Sequence, residues 1–296
     1  MLSHILPEGA KRTIQKKIFY NEKLQDLTWA LYYTPNPIRP SVPISTTAEK
    51  NLRELRERGV TIMPGFEAVA DHIQKVYFDP LERRGRNDVD FIDTGAREDI
   101  SGTTNIRASY KDPGLAPMLF NPDVCGVLYN YYKRQPYYRE QPWAVYNGRK
   151  DDMPLEEFYK TEVAAKYHTD FYRQITMMLI VNDLTIKDTH LQFAVGSHRG
   201  ERHPWNRFAY KEEDVEKRYK IFDCVGPKGS LIIMDAGAGL HRGFHVKGTV
   251  RKTLQAVVTT GHYFTEREGK MDVSDWPERH AFKDFARKMT DPISHK

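Results

Sequence analysis

Residues 173–200 read RQITMMLIVNDLTIKDTHLQFAVGSHRG. Two apolar runs, ITMMLIV and LQFAV, stand either side of a polar turn rich in Asn, Asp, Thr and Lys. Both runs are too short for most helices and carry β-branched or aromatic residues, so they read as strands. The same texture begins with WAVY at 143–146 and continues in SLIIMDA at 230–236 and TLQAVVTT at 253–260. Clusters of Gly, Pro, Asp and Lys separate these runs. The pattern predicts an antiparallel sandwich or barrel over residues 143–262, interrupted by one helix in KEEDVEKRYKIF, 211–222.

Upstream the period changes. PNPIRPSVPIS at 35–45 has prolines at intervals that favour an extended arm. Thr46 with Glu49 three residues on fits a capping box, so TTAEKNLRELRERG predicts a helix that Gly59 ends. VTIMPGF then reads as a short strand and turn. EAVADHIQKVY predicts a second helix with Val69, Ile73, Val76 and Tyr77 on one face. Residues 80–110 are polar and read as loop. The charged tail after 262 predicts an outer helix in WPERHAFKDFARKM. The expectation is an α+β chain of one domain, without a linker. A helical N-terminal elaboration and cover (1–142) precedes the sandwich core (143–262), and a helical tail (263–296) follows it.

Composition narrows the function. The chain has 296 residues, 40% hydrophobic and 12% aromatic, enough for a sizeable core. No apolar run approaches the roughly 20 residues of a membrane span. The N-terminus lacks the apolar core of a secretory leader. Cys125 and Cys224 are far apart in sequence and read as free thiols in a reducing compartment, which predicts a cytoplasmic protein. A net charge of +5 is small for this length, and the basic residues are scattered. The densest basic and aromatic stretch, YYKRQPYYREQPW at 131–143, reads as a loop with snorkelling side chains, which argues against nucleic acid as the partner. A small-molecule substrate remains. Nothing in the sequence fixes the oligomeric state.

The residues suited to chemistry start at His168-Thr169-Asp170. About one His-x-Asp is expected by chance in a chain of this composition, so the tripeptide alone carries no weight. On a strand, however, residues two apart share a face, and an imidazole and a carboxylate would converge there. His241 follows a buried-looking strand in a glycine-rich stretch where backbone can bend toward a site. Two nitrogens and one carboxylate make the facial triad of non-haem Fe(II) oxygenases, although zinc also accepts such donors. In VRKTLQAVVTT, Arg251, Thr253 and Gln255 fall on one face, and Leu254, Ala256 and Val258 on the other. An inward guanidinium needs an anion, and a dicarboxylate would supply one with bidentate geometry.

In this order, HTD, LQFAVGSHRG, GSLIIMDAGAGLHRG and Arg251 resemble the phytanoyl-CoA dioxygenase-like family of Fe(II)/2-oxoglutarate oxygenases, over about residues 165–261. RERGVTIMPGF, ending at Phe66, resembles that family's N-terminal helix and strand. The resemblance implies a double-stranded β-helix (a jelly-roll, cupin-like core) with flanking helices. It implies iron held by His168, Asp170 and His241, with no catalytic side chain beyond those ligands. Arg251 would grip the distal carboxylate of the co-substrate 2-oxoglutarate, and Asn147 would be a further co-substrate contact. Tyr167, Phe171, Tyr172 and Gln192 would be pocket candidates. The implied reaction uses O2, releases succinate and CO2, and hydroxylates, desaturates or cyclises a small molecule. Asp170 stands where related halogenases have Gly or Ala. Gly243 stands where the family often has a serine that helps hold 2-oxoglutarate. The alternatives are a jelly-roll metal-binding or sensor protein without turnover, and a zinc hydrolase. His241 rather than His245 is expected to complete the triad, because ten residues to Arg251 leave room for a hairpin and six do not.

Overall fold

The computed structural model describes residues 40–84, 103–110, 112–134, 136–138, 141–148, 165–170, 174–200 and 210–259. It also describes three short strands, β1 (Tyr33–Pro35), β3 (Arg97–Glu98) and β13 (Gly261–Tyr263). Each apolar run forms a strand. They are β6 (Trp143–Gly148), β7 (Gln174–Ile180), β8 (His190–Ala194), β10 (Leu231–Met234) and β12 (Val250–Thr259).

Two sheets face each other. The larger has the order β2-β10-β7-β12-β6-β4-β3, with β2 at Val60–Met63 and β4 at Thr103–Arg107. β5 (Tyr137–Tyr138) pairs with the far end of β12. The smaller sheet is β11-β8-β9, with β9 at Ile221–Cys224 and β11 at His241–Phe244. A single bridge, His168 to His241, adds the 167–169 segment to its edge. All the named pairings in the two sheets are antiparallel. This is the antiparallel sandwich the strand pattern predicts, in the double-stranded β-helix form the family resemblance implies.

Strand alternation divides the core in two. Met178, Ile180, Ile232, Met234 and Val60 point into the sandwich and meet Leu191, Phe193 and Cys224 of the small sheet. Their neighbours Met177, Leu179, Ile233, Leu254 and Ala256 point outward against a helical layer. That layer is built on α1 (Thr46–Arg58), α2 (Glu67–Ile73), α4 (Ala116–Leu119) and α5 (Pro122–Tyr132), with α3 (Asp79–Arg84) following α2. β7 is buried along its whole length because both of its faces are covered. At roughly 25 cal/mol per Å2 of apolar surface, each large side chain on either face contributes on the order of 2 kcal/mol before entropy is subtracted.

Several local expectations change. The cap of α1 is Ser45, one residue before Thr46. Its Oγ accepts from the Ala48 amide and donates to Asp123 at 2.7 Å, so a partner on α5 fixes the helix start. Gly59 does end α1, in the left-handed region at φ 82°. α2 stops at Ile73, and a wide π turn (Gln74–Phe78) shifts the phase of the remainder. Phe78 is therefore buried, while Val76, expected on the inner face, is 43% exposed. Residues 80–110 are not all loop, since α3, β3 and β4 lie there and β4 extends the large sheet. Strands β3, β4 and β5 thus come from the segment expected to be helical cover, while the strand expected in VTIMPGF is β2. The 211–222 helix covers only α6 (Glu212–Arg218). Tyr219 is extended, and the apolar Ile221-Phe222 enters β9 against β8. Residues 36–39 of the 35–45 arm, the expected tail helix, Phe171 and Tyr172 lie outside the described residues.

No helix among the described residues is long and apolar enough to cross a membrane. Cys125 and Cys224 are free thiols, both buried, and burial pushes each of them well above the ordinary thiol range.

Candidate metal centre

His168, Asp170 and His241 each present one ligand atom, all within 4.8 Å of one another. The His168–His241 bridge explains the meeting of the imidazoles. Directly opposed residues of an antiparallel pair project to the same face, and the two amides and carbonyls exchange hydrogen bonds of 3.0 and 2.9 Å. The rings stand 4.4 Å apart, centroid to centroid, facing the sandwich interior. Nδ1 of His168 lies 2.7 Å from the Lys166 carbonyl, and Nδ1 of His241 lies 3.1 Å from the Gly239 carbonyl. A carbonyl only accepts, so both Nδ1 atoms carry the proton and both Nε2 lone pairs are free for a metal.

The Asp170 carboxylate completes the set. Oδ1 is 3.8 Å from His168 Nε2, and Oδ2 is 3.7 Å from His241 Nε2. Metal–ligand bonds of about 2.1 Å place adjacent ligands about 3.0 Å apart in an octahedron and about 3.4 Å apart in a tetrahedron. Counted one atom per residue, the separations reach up to 4.8 Å, so side-chain rotation must close them by up to roughly 1.8 Å for an octahedron or roughly 1.4 Å for a tetrahedron, and the donor types fit a divalent ion. Asp170 is held from several sides. Its amide donates to the Ala236 carbonyl at 2.7 Å, and its Oδ2 accepts from Gln174 Nε2 at 2.9 Å and Thr176 Oγ1 at 3.4 Å. Gln174 and Thr176 were missed in the sequence. They are the polar members of QITMMLI at inward parity, and that alternation was the available signal.

The turn 235–239 supports two of the ligands. Its Ala236 and Gly239 carbonyls contact Asp170 and His241, and the Gly239 amide closes on the Asp235 carbonyl at 2.7 Å. The Asp235 carboxylate accepts from Tyr131 Oη at 2.6 Å and from the Ala238 amide at 3.1 Å. Burial holds this carboxyl above its ordinary range, and burial also lowers the neighbouring His198 imidazole.

Arg251 lies near the start of β12, 5% exposed, on the inner face together with Thr253. Leu254, Ala256 and Val258 are in the outer core, as the alternation predicts. Arg251 pairs in register with Asn147 of β6, so both side chains project to the same side of the sheet. Asn147 Nδ2 donates to Thr103 Oγ1 at 2.8 Å, whereas its Oδ1 and the Thr253 hydroxyl are buried with no hydrogen-bond partner among the described residues. These groups make the inner wall polar at that end.

Two pocket candidates do not face the metal cluster. Tyr167 precedes His168 and projects to the opposite side, where it packs with Ala194, Val215 and Leu240. Gln192 pairs with Arg242, also on the outer side of the small sheet, and bonds Arg242 Nε and Asp223 Oδ1 at 2.8 Å each. Strand parity is the reason in both cases: each is one residue from an inward-facing neighbour. His190, on that outer side too, bonds Asp223 at 2.9 Å. Ser197 and His198 form a 3-10 turn after β8. His245 follows β11, is buried, and is not one of the three clustered ligands.

No protein-family model matches the chain, and no curated protein matches its sequence. Solved structures do match. The non-heme alpha ketoglutarate dependent epimerase SnoN from nogalamycin biosynthesis aligns with a TM-score of 0.54 and 12% identity, over 79% of this chain and 91% of its own. EctD from S. alaskensis, in a structure with 2-oxoglutarate and 5-hydroxyectoine, aligns with a TM-score of 0.52 and 16% identity, over 77% and 83%. The carbocyclase SnoK, also from nogalamycin biosynthesis, aligns with a TM-score of 0.50 and 14% identity, over 86% and 98%. At such identities the shared property is the fold. The chain has the jelly-roll architecture of non-heme iron, 2-oxoglutarate-dependent enzymes.

Proposed function

We propose that the chain is a non-haem Fe(II)- and 2-oxoglutarate-dependent oxygenase acting on a small molecule. The observation that carries this reading is the His168–Asp170–His241 set inside a double-stranded β-helix, with both imidazoles locked as Nε2 donors. Three protein ligands leave positions for co-substrate and oxygen. The histidines are buried, whereas the Asp170 side chain is 28% exposed, which leaves the cluster open on one side. Enzymes of this fold that bind 2-oxoglutarate or act as an epimerase or carbocyclase support the same chemistry here.

The roles follow from placement. His168 and His241 hold iron as neutral imidazoles. Asp170 balances part of its charge, and Gln174 and Thr176 keep that carboxylate from rotating away. Arg251, buried on the inner face, grips the distal carboxylate of 2-oxoglutarate, with Asn147 beside it. The Met178, Ile180 and Ile232 side chains keep the interior between the sheets dry. When bound, iron and 2-oxoglutarate supply oxidation of a substrate C–H bond, coupled to release of succinate and CO2 from the co-substrate with O2. Hydroxylation is the default outcome, with desaturation, cyclisation and epimerisation starting from the same attack.

Under anoxia, Fe(II) with 2-oxoglutarate should give a weak visible charge-transfer band that Asp170→Ala abolishes. In air, a small-molecule panel should then reveal substrate-dependent succinate release. Metal binding with neither band nor succinate would leave a jelly-roll metal-binding protein. Hydrolysis indifferent to 2-oxoglutarate would indicate a zinc enzyme.

A further inference from the structure

The small sheet carries two parallel rows of side chains, one on each side. The inner row, read across the strands by register, is Phe222, Phe193, His241 and His168. The outer row, one residue along, is Asp223, Gln192 and Arg242, and its next position across the bridge is Tyr167. The inner row ends in the two imidazoles of the metal cluster. The outer row is an unbroken chain of polar contacts that ends on an aromatic face. Asp223 accepts from Gln192 Nε2 at 2.8 Å, Gln192 Oε1 accepts from Arg242 Nε at 2.8 Å, and the Arg242 guanidinium lies 4.5 Å over the Tyr167 ring.

The contact matters because the backbone gives the 167–169 segment little support. Its pairing with β11 is one bridge with two hydrogen bonds, and the ladder does not continue on either side. The rung and the bond from the Asp170 amide to the Ala236 carbonyl fix the segment at His168 and beyond, and leave its Tyr167 end to be held by side chains. Tyr167 and Arg242 flank the rung on the outer side, so their stacking holds that end. The guanidinium is itself immobilised. It is 4% exposed, meets Glu212 at 2.6 Å and Glu216 at 3.2 Å on α6, and has Phe244 beyond at 5.7 Å. The Tyr167 hydroxyl is buried without a hydrogen-bond partner among the described residues, so the ring face supplies the interaction.

We propose that Arg242 and Tyr167 are positioning residues that set the separation of His168 and His241 before the metal arrives. The inference rests on the reading that His168, Asp170 and His241 hold a metal. Partners behind a metal ligand commonly change affinity by about 10- to 100-fold when lost.

The test is Co(II) titration of the metal-free full chain, read by dissociation constant and visible d–d spectrum, with circular dichroism as the folding control. Tyr167→Phe keeps the ring and should match wild type in both readouts. Tyr167→Leu should bind about tenfold or more weakly and shift the d–d bands, a change that a loss of stability alone does not produce. If Tyr167→Leu does not fold, Arg242→Lys decides, because it keeps a cation for Glu212 and Glu216 but removes the stacking plane. It too should weaken binding and shift the bands. A folded Tyr167→Leu, or in its place Arg242→Lys, with wild-type affinity and spectrum overturns the proposal, as does loss of binding in Tyr167→Phe. Absence of Co(II) binding by the wild type would instead remove the metal reading itself.

Discussion

Replacing Arg251 by Met should separate co-substrate binding from metal binding. Met roughly preserves the length of the side chain and removes the guanidinium from a position that is 5% exposed. A charge-assisted pair in such a place is worth roughly 2–5 kcal/mol, by analogy with buried interfacial pairs. That corresponds to a roughly 30- to 5,000-fold weaker 2-oxoglutarate affinity. Metal affinity should hardly change. The hydrogen bonds that support His168, Asp170 and His241 come from Gln174, Thr176, Ala236, Gly239 and Lys166, none of them on β12. β12 meets this support toward its other end, where Val257 pairs with Thr176 and Thr259 with Gln174. The assay is an anoxic titration of the Fe(II)-loaded protein with 2-oxoglutarate, following the visible band, beside a direct Fe(II) titration of the metal-free protein. Unchanged 2-oxoglutarate affinity in Arg251→Met would show that the co-substrate carboxylate lies elsewhere.

His241→Ala should abolish Fe(II) binding and His245→Ala should preserve it, since only the former belongs to the ligand cluster; loss of iron in the second variant alone would reverse the assignment. Gly59→Ala should destabilise the fold by roughly 2–5 kcal/mol, combining the left-handed backbone at φ 82° with a Cβ only 2.5 Å from His198 Nδ1 and 2.8 Å from Phe193. A melting temperature within a degree or two of wild type would contradict that packing. Asp235 has its folded pKa raised by burial above its ordinary 3.8, so its contribution to stability is full below the unfolded value and is lost as pH rises through the folded one. Asp235→Asn escapes that loss, and its unfolding free energy relative to wild type should improve as pH rises from the ordinary carboxylate range toward neutrality in urea titrations of metal-free protein. A flat difference across the window would show that Asp235 is not held protonated.

The sandwich was legible because its strands are apolar runs with clear edges, and in β12 even the two faces could be separated by alternation. The clustering of His168, Asp170 and His241 followed from the family resemblance rather than from strand alternation, since His168 sits in a single bridge and Asp170 lies outside any strand. Where prediction failed, the causes were a contact distant in sequence, a local change of helical phase, and strand parity. Ser45 became the cap because Asp123 reaches it, and a single π turn exposed Val76 after a helix whose earlier residues were placed correctly. Tyr167 is a pocket candidate by its place beside the motif and Gln192 by the family resemblance, although one residue along a strand means the opposite side of the sheet. The row from Asp223 to Tyr167 joins four segments spread over residues 167–242 and leaves no local pattern to detect.

The strand β2 forms the edge of the large sheet beside β10, and Asp235, the residue after β10, donates its amide to the Gly59 carbonyl at 2.8 Å. These partners are separated by about 170 residues of chain, so during synthesis β2 leaves the ribosome long before anything exists to cover its edge. Closing a loop of that size carries a large entropic cost before any contact repays it, and such non-local pairing slows folding. The turn that braces Asp170 and His241 therefore belongs to the late-forming part of the molecule. Until then the nascent chain displays an apolar strand with an unpaired edge, so a mutation at the β2–β10 seam should act first on yield rather than on turnover.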